Sequence, residues 1–175
     1  ITGVNAIIAI AENLNDNTKD ALKKYFNAAV VSRYSNNENG IIAQQPASGG
    51  TEFYINHASY HIEILDFDKD KPVCDGEMGR IVITDYFNYG MPLIRYDTGD
   101  IGRSGTKRNG RGVCRVLTIV EGRKMDFLKD TRGNLVSPYV LTTNMCNFAD
   151  LRQSQLIQTG PGHYLLVLNC DRPYP

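Results

Sequence analysis

The chain has no excess of either charge: 19 Lys and Arg residues balance 19 Asp and Glu residues. No overall field therefore draws it to nucleic acid or to an anionic membrane, although neutrality still permits a local anion site. Long apolar runs are also missing. The longest, residues 6–11 and 164–168, fall far short of the roughly 20 residues that a bilayer-spanning helix needs. Cys74, Cys114, Cys146 and Cys170 are widely separated, with no CxxC and no tight Cys/His grouping. That pattern argues against a disulfide framework and suits reduced thiols, so a cytoplasmic protein is expected. The spacing of His57, His61 and Cys74 gives no zinc signature, and ordinary solvated or hydrogen-bonded histidines are expected there. No Ser/His/Asp combination is suggested by spacing, and no Cys sits beside a basic group in a readable motif, so neither form of nucleophilic catalysis has support. The chain opens on Ile1 without a charged region, apolar core and cleavage site, so no secretory signal is read. There is no internal repeat and no low-complexity tract. With 42% hydrophobic and 22% charged residues over 175 positions, the composition is that of an ordinary globular chain of one domain or one and a fraction.

Periodicity divides the chain into three textures. Residues 7–11 read as a short buried strand, and residues 18–26 as a helix in which Ala21, Leu22, Tyr25 and Phe26 share a face, capped by Asn17 or Thr18. Residues 30–34 read as a second strand, parallel to the first, delivering a loop from Ser35 to Gly40. From there short β-like segments follow at 41–44, 52–55, 60–65, 79–84, 93–96 and 112–120, spacing that favours a small antiparallel barrel or sandwich. Beyond Gly122 a turn at 130–134, a helix after Ser137-Pro138, and strands near 155–158 and 164–169 suggest a small α+β unit.

Three segments carry candidate chemistry. The string Pro92 to Asp100, PLIRYDTGD, ends in an Asp behind Thr98-Gly99. An ionised carboxylate has two acceptor oxygens and no donors, which suits the paired hydroxyls of a ribose, and the Gly permits close approach of a ligand to the backbone. A second segment, Tyr34-Ser35-Asn36-Asn37-Glu38, places a carboxylate just beyond a strand's C-terminal end, where open α/β sheets bind ligands. The third is Glu121-Gly122-Arg123, whose guanidinium offers several fixed donors and a permanent charge. Read singly, each has a plain structural role: an Asn-rich turn, an Asp that caps a tight turn, a solvated Arg. Arg95 could hold its loop through a bidentate pair with a carboxylate without touching a ligand.

In order and wording these segments resemble the adenylate-forming enzymes, the acyl-CoA synthetase superfamily, and within it the phenylacetate-CoA ligase branch with its capsule-biosynthesis relatives. The resemblance implies that Asp100 binds the ribose, that the ring or backbone of Tyr34 neighbours adenine, that Asn37 meets the α-phosphate and that Arg123 reaches ribose or phosphates. Glu38 takes the position of the carboxylate that holds Mg²⁺ near the phosphates, a task for which one or two protein carboxylates suffice. The chain departs from the pattern at Asn37, where Thr or Ser is usual, at Asp97, where many members have Arg, and at Met125, where the hinge Asp or Lys is common. Lys124 and Asp126 flank that last position.

The implied fold is α/β plus β-barrel: the end of a Rossmann-like sheet, an antiparallel barrel subdomain, and the start of a small α+β C-terminal domain. Residues 1–121 would complete the large domain and residues 122–175 would begin the small mobile one, truncated. The Ser/Thr/Gly-rich phosphate loop ending in Lys has no counterpart before Tyr34, and the late catalytic Lys has none either, so an internal piece of a longer protein is expected and no catalytic residue is assigned. The parent would be an AMP-forming acid-thiol ligase using ATP, Mg²⁺ and coenzyme A on a small carboxylic acid, with no nucleic-acid partner and a homodimer left open. The alternatives are a non-catalytic nucleotide-binding or interaction module built on the same fold, and an unrelated antiparallel binding barrel.

Overall fold

The computed structural model describes residues 3–10, 14, 16–110, 112–123, 127–136, 144–145, 148 and 150–170. Two compact units divide the chain, Ile1–Lys124 and Met125–Pro175.

The first unit opens with β1 (Ala6–Ala9), α1 (Asp16–Phe26) and β2 (Ala29–Asn36). The expected parallel pair forms, with Ala6 to Ala9 in register with Ala29 to Ser32. Asp16 in the first turn and Lys23 and Lys24 in the last complement the helix dipole. Asn27, at a φ of 49°, then takes the left-handed conformation that ends many helices. The sequence periodicity of α1 is real, but no residue of the helix is buried, and Tyr25 is 74% exposed. A polar contact ties the helix down instead: Lys19 Nζ donates to Gln45 Oε1 at 2.6 Å, and the same oxygen accepts from the Ser32 amide at 3.1 Å.

Six further strands follow: β3 (Gly40–Gln44), β4 (Phe53–Ile55), β5 (Tyr60–Leu65), β6 (Met78–Asp85), β7 (Tyr96–Asn109) and β8 (Gly112–Arg123). All eight strands join one mixed sheet in the order β1-β2-β3-β4-β8-β7-β6-β5. The sequence suggested a sheet end and a separate barrel, and this is corrected. β2 belongs to both, pairing parallel with β1 over 29–32 and antiparallel with β3 over 33–36. The ladder does not close, since among the described strands no pairing joins β5 back to β1 or β2.

Side chains nevertheless bring distant strands together. One buried cluster contains Tyr34 from β2, Ile42 from β3, Phe53 from β4, Tyr60, Ile62 and Ile64 from β5, Ile81 and Ile83 from β6, and Leu117 from β8. Ile42, Ile81, Ile83 and Leu117 have no exposed surface. Strands far apart in the hydrogen-bonded order can share a core only if the sheet curls strongly, as right-handed strand twist and bulges allow. The open sheet thus buries one shared core, and the expected barrel is not formed by its ladder.

The described residues of the second unit form two hairpins. β9 (Leu128–Lys129) pairs with β10 (Leu135–Val136), and Asp130 Oδ1 accepts from the amides of Arg132 and Asn134 at 2.8 and 2.7 Å, fixing the turn read from sequence. β11 (Leu151–Gly160) pairs with β12 (His163–Cys170). The hairpins are joined by Gln158, whose Oε1 accepts from the Lys129 amide at 2.9 Å, and by the Tyr164 hydroxyl, which donates to the Lys129 carbonyl. Residues 137–143, where a helix is expected to begin, lie outside the described residues, as do Cys146 and the hinge positions Lys124, Met125 and Asp126, while Asn144 and Met145 are helical. Among the described residues no helix is long and apolar enough to cross a membrane.

Candidate nucleotide site

The turn carrying Glu38 forms because β2 and β3 make a tight hairpin. Asn36 and Gly40 are paired, leaving Asn37, Glu38 and Asn39 as the turn. Asn36 Oδ1 accepts from the Asn39 amide at 2.7 Å, the local side-chain bond that makes Asn favourable in turns, and Gly40 supplies a φ of 76°. Asn37 and Glu38 are exposed, whereas Asn39 is buried. From β5, the Tyr60 hydroxyl donates to the Asn39 carbonyl and anchors the turn from across the curled sheet. Sequence reasoning gave Tyr60 no such role, because nothing local links positions 39 and 60.

Asp100 was expected behind the end of an apolar strand at 93–96. Instead β7 begins at Tyr96, and Thr98-Gly99-Asp100 lies inside the strand as a bulge. Asp97 is opposite Val82 and Ile101 opposite Arg80, so three residues of β7 face Ile81 alone. Arg95, at a φ of 50°, interrupts the ladder before Tyr96, although the Leu93 carbonyl still accepts from the Asp85 amide of β6 at 2.9 Å. Arg95 is held there by Nε and Nη2 bonds to the Glu63 carboxylate at 3.1 and 3.3 Å, the loop-holding pair anticipated for it. Gly99, at a φ of 77°, makes the bulge affordable, and bulges commonly re-aim side chains at functional sites.

The bulge sets Asp100 among groups from all three motifs. The Tyr34 hydroxyl donates to Asp100 Oδ2 at 2.8 Å and lies 3.2 Å from Thr98 Oγ1. Thr98 Oγ1 donates to the Ile81 carbonyl at 2.9 Å and accepts from the Asp100 amide at 3.1 Å. Across the ladder, Asp100 is the direct partner of Arg123 in β8. Burial raises the Asp100 pKa; the bond from Tyr34 and the charge of Arg123 pull it down, while Asp97 and Glu38 push it up. Tyr96 joins the group through a hydrogen bond to Glu38, and burial, followed by the charge of Glu38, raises its phenol pKa. Tyr34 is 8% exposed, and burial followed by the Asp100 charge raises its pKa far above the usual range. It therefore remains a donor at any physiological pH.

Asp97, where the resembled family often has Arg, has a cationic partner of its own. Arg80 Nη1 binds Asp97 Oδ2 at 2.5 Å and Arg80 Nη2 binds Asp70 Oδ1 at 2.8 Å, while Arg80 Nε donates to the Asp66 carbonyl at 2.9 Å. The site thus gathers Tyr34, Glu38, Tyr96, Asp100 and Arg123, with Asn37 in the same turn as Glu38. Tyr96 lies within the PLIRYDTGD segment, and its contact with Glu38 is one that no local signal announces. Arg80 and Tyr60 had no readable signal, because their partners are distant in sequence. Chemically the arrangement offers an acceptor for hydroxyls at Asp100, a cation beside it, and an exposed carboxylate at Glu38. The donor set at Glu38 fits a hard divalent cation that takes its other ligands from phosphate and water. Among the described residues no group of three His, Cys, Asp or Glu side chains could hold a metal by itself.

No family model matches the chain. Protein CapK of Staphylococcus aureus is 25% identical over 167 residues, covering 93% of this chain and 35% of CapK. Among solved structures, an open conformation of 2-hydroxyisobutyryl-CoA ligase in complex with 2-HIB-AMP and CoA is similar with a TM-score of 0.71 at 16% identity, over 94% of this chain and 38% of that one. Apo MatB from Rhodopseudomonas palustris is similar with a TM-score of 0.60 at 18% identity, over 97% of this chain and 36% of that one. The chain thus spans about a third of the length of these relatives, and over that span it has the fold of a segment of an acyl-CoA ligase.

Proposed function

We propose that the chain is the nucleotide-binding portion of an ATP-dependent carboxylate-activating ligase of the phenylacetate-CoA ligase kind. In this reading residues 1–121 complete its large domain and residues 122–175 begin its small one. The observation that carries the reading is the meeting of Tyr34, Glu38, Asp100 and Arg123, drawn from three segments that only tertiary structure could unite. In the proposed reaction the substrate carboxylate attacks the α-phosphorus of ATP and pyrophosphate leaves. The thiol of coenzyme A then takes the acyl group and AMP departs.

Each residue's part follows from its chemistry. Asp100 accepts from the ribose hydroxyls, and Arg123, across the ladder from it, supplies positive charge toward the nucleotide. The backbone at Tyr34 neighbours adenine while its ring lies behind Asp100. Asn37 donates its amide to the α-phosphate where a hydroxyl is usual. Glu38 would hold Mg²⁺, which when bound offsets charge building on the phosphates. Alignment and charge neutralisation account for most of such a step.

Calorimetric titration of AMP and ATP with Mg²⁺, at millimolar ligand, into this chain and its Asp100→Ala variant tests the proposal. Binding to the former and loss in the latter is expected. A folded sample that gives no heat with either nucleotide would overturn the reading.

A further inference from the structure

The Tyr34 hydroxyl has one proton and two acceptors within reach, Asp100 Oδ2 at 2.8 Å and Thr98 Oγ1 at 3.2 Å. Thr98 gives its own proton to the Ile81 carbonyl and already accepts from the Asp100 amide. The carboxylate is the closer acceptor and, being charged, the stronger one. The phenol ring is fixed as a member of the buried cluster and is 8% exposed, so the hydroxyl enters the site from a rigid base. A carboxylate on a bulge, by contrast, is free to rotate about its own side-chain torsions unless something holds it. A two-oxygen acceptor that must meet two vicinal hydroxyls gains from having its plane set in advance.

We infer that Tyr34 is a positioning residue for Asp100: its hydroxyl occupies Oδ2 from the core side and so presents the rest of the carboxylate to the paired hydroxyls of a ribose. This deepens the nucleotide reading and rests on it for the ligand, though not for the contact itself. The same bond favours the ionised form of Asp100. Burial raises its pKa and the Tyr34 bond opposes that rise, so removal of the hydroxyl lifts the pKa further and carboxylate is lost at a higher pH. The other charges facing Asp100 are Arg123, which favours ionisation, and Asp97 and Glu38, which oppose it.

The test is Tyr34→Phe, which keeps the ring in the cluster and removes only the hydroxyl, alongside Asp100→Ala and the double variant. AMP and 2′,3′-dideoxy-AMP are titrated into each from pH 5 to 8, and the Asp100 carboxyl is titrated by NMR in the ligand-free protein. The expected results are a roughly tenfold loss of AMP affinity in Tyr34→Phe, an upward shift of the acid limb of binding, and a raised Asp100 carboxyl titration. The dideoxy analogue, with no hydroxyls for Asp100, should bind wild type and Tyr34→Phe equally, and Tyr34→Phe should add nothing to Asp100→Ala. An equal loss for both nucleotides would place Tyr34 at the base and overturn the inference, as would an unchanged carboxyl titration. If Asp100→Ala binds AMP as wild type does, or if AMP does not bind at all, the nucleotide reading fails. The carboxyl titration then decides by itself whether Tyr34 governs Asp100.

Discussion

The hydroxyl of Tyr34 donates to Asp100 Oδ2 across 2.8 Å, joining two motifs whose residues lie 66 positions apart. That bond marks where the curled sheet brings β2 against β7.

Asp100→Asn should separate binding from stability. Burial raises the Asp100 pKa above its unfolded value, so the native state holds the proton more tightly. Stability therefore falls as pH rises from the unfolded carboxylate value through the raised folded one, and the ionised side chain costs stability at neutral pH. The Asn variant should unfold at a higher temperature than wild type at pH 7, with the difference shrinking in acid. Its AMP affinity should fall about 10- to 100-fold, the worth of hydrogen bonds to a charged group. Thermal melts across pH and calorimetry read both, and a variant less stable at pH 7 would refute the sign.

Arg80→Ala should loosen β6 from β7 and from the turn at Asp70. The guanidinium binds Asp97, Asp70 and the Asp66 carbonyl, and its side chain is 16% exposed. A cost of about 1–3 kcal/mol is expected by denaturant unfolding. Arg80→Lys should recover little, because an ammonium cannot span the same set of acceptors in fixed geometry. Full rescue by Lys would show that charge alone matters there.

At Arg95 two losses can be told apart. Ala removes the Glu63 pair and keeps the left-handed backbone, whereas Gly removes the pair and relieves the strain. Arg95→Gly should therefore be the more stable of the two by about 1 kcal/mol. Equal stabilities would mean the φ of 50° carries no strain.

Gly79→Ala should damage the β5–β6 pair. A Cβ at that position would lie 2.2 Å from the Leu65 carbonyl oxygen and 2.9 Å from Ile64 Cγ2, and the backbone oxygen cannot step aside cheaply. Overpacking of this kind costs about 1–3 kcal/mol. A denaturation midpoint matching wild type would show that the strands part there without penalty.

Much of the fold was legible because its signals are local. The 60–65 strand matches β5 at both ends, since alternating Ile and polar residues between turns leave one face to bury. The turn at 130–134 follows from Asp130 bonding its own neighbours, and the parallel β1–β2 pair from a strand, helix and strand in succession. The start of β7 differs from the strand expected at 93–96 because Leu93 and Ile94 look like strand residues, while the left-handed conformation of Arg95, whose side chain binds the distant Glu63, delays the continuous ladder until Tyr96.

The sequence by itself determined the chemistry available: a carboxylate after Thr-Gly, a carboxylate in an Asn-rich turn, and an Arg after Glu-Gly. It also determined the strand periods that place these groups near strand ends and bends. Only the tertiary structure decided that one continuous curled sheet holds them, that Tyr34 faces Asp100, that Arg123 is its ladder partner, and that Arg80 is the cation for Asp97. The reason is physical. Periodicity records which face of a strand is apolar, but the pairing of strands far apart in sequence depends on burying all those faces in a single core. The bulge at Thr98 to Asp100 exists only relative to the partner strand it fails to match.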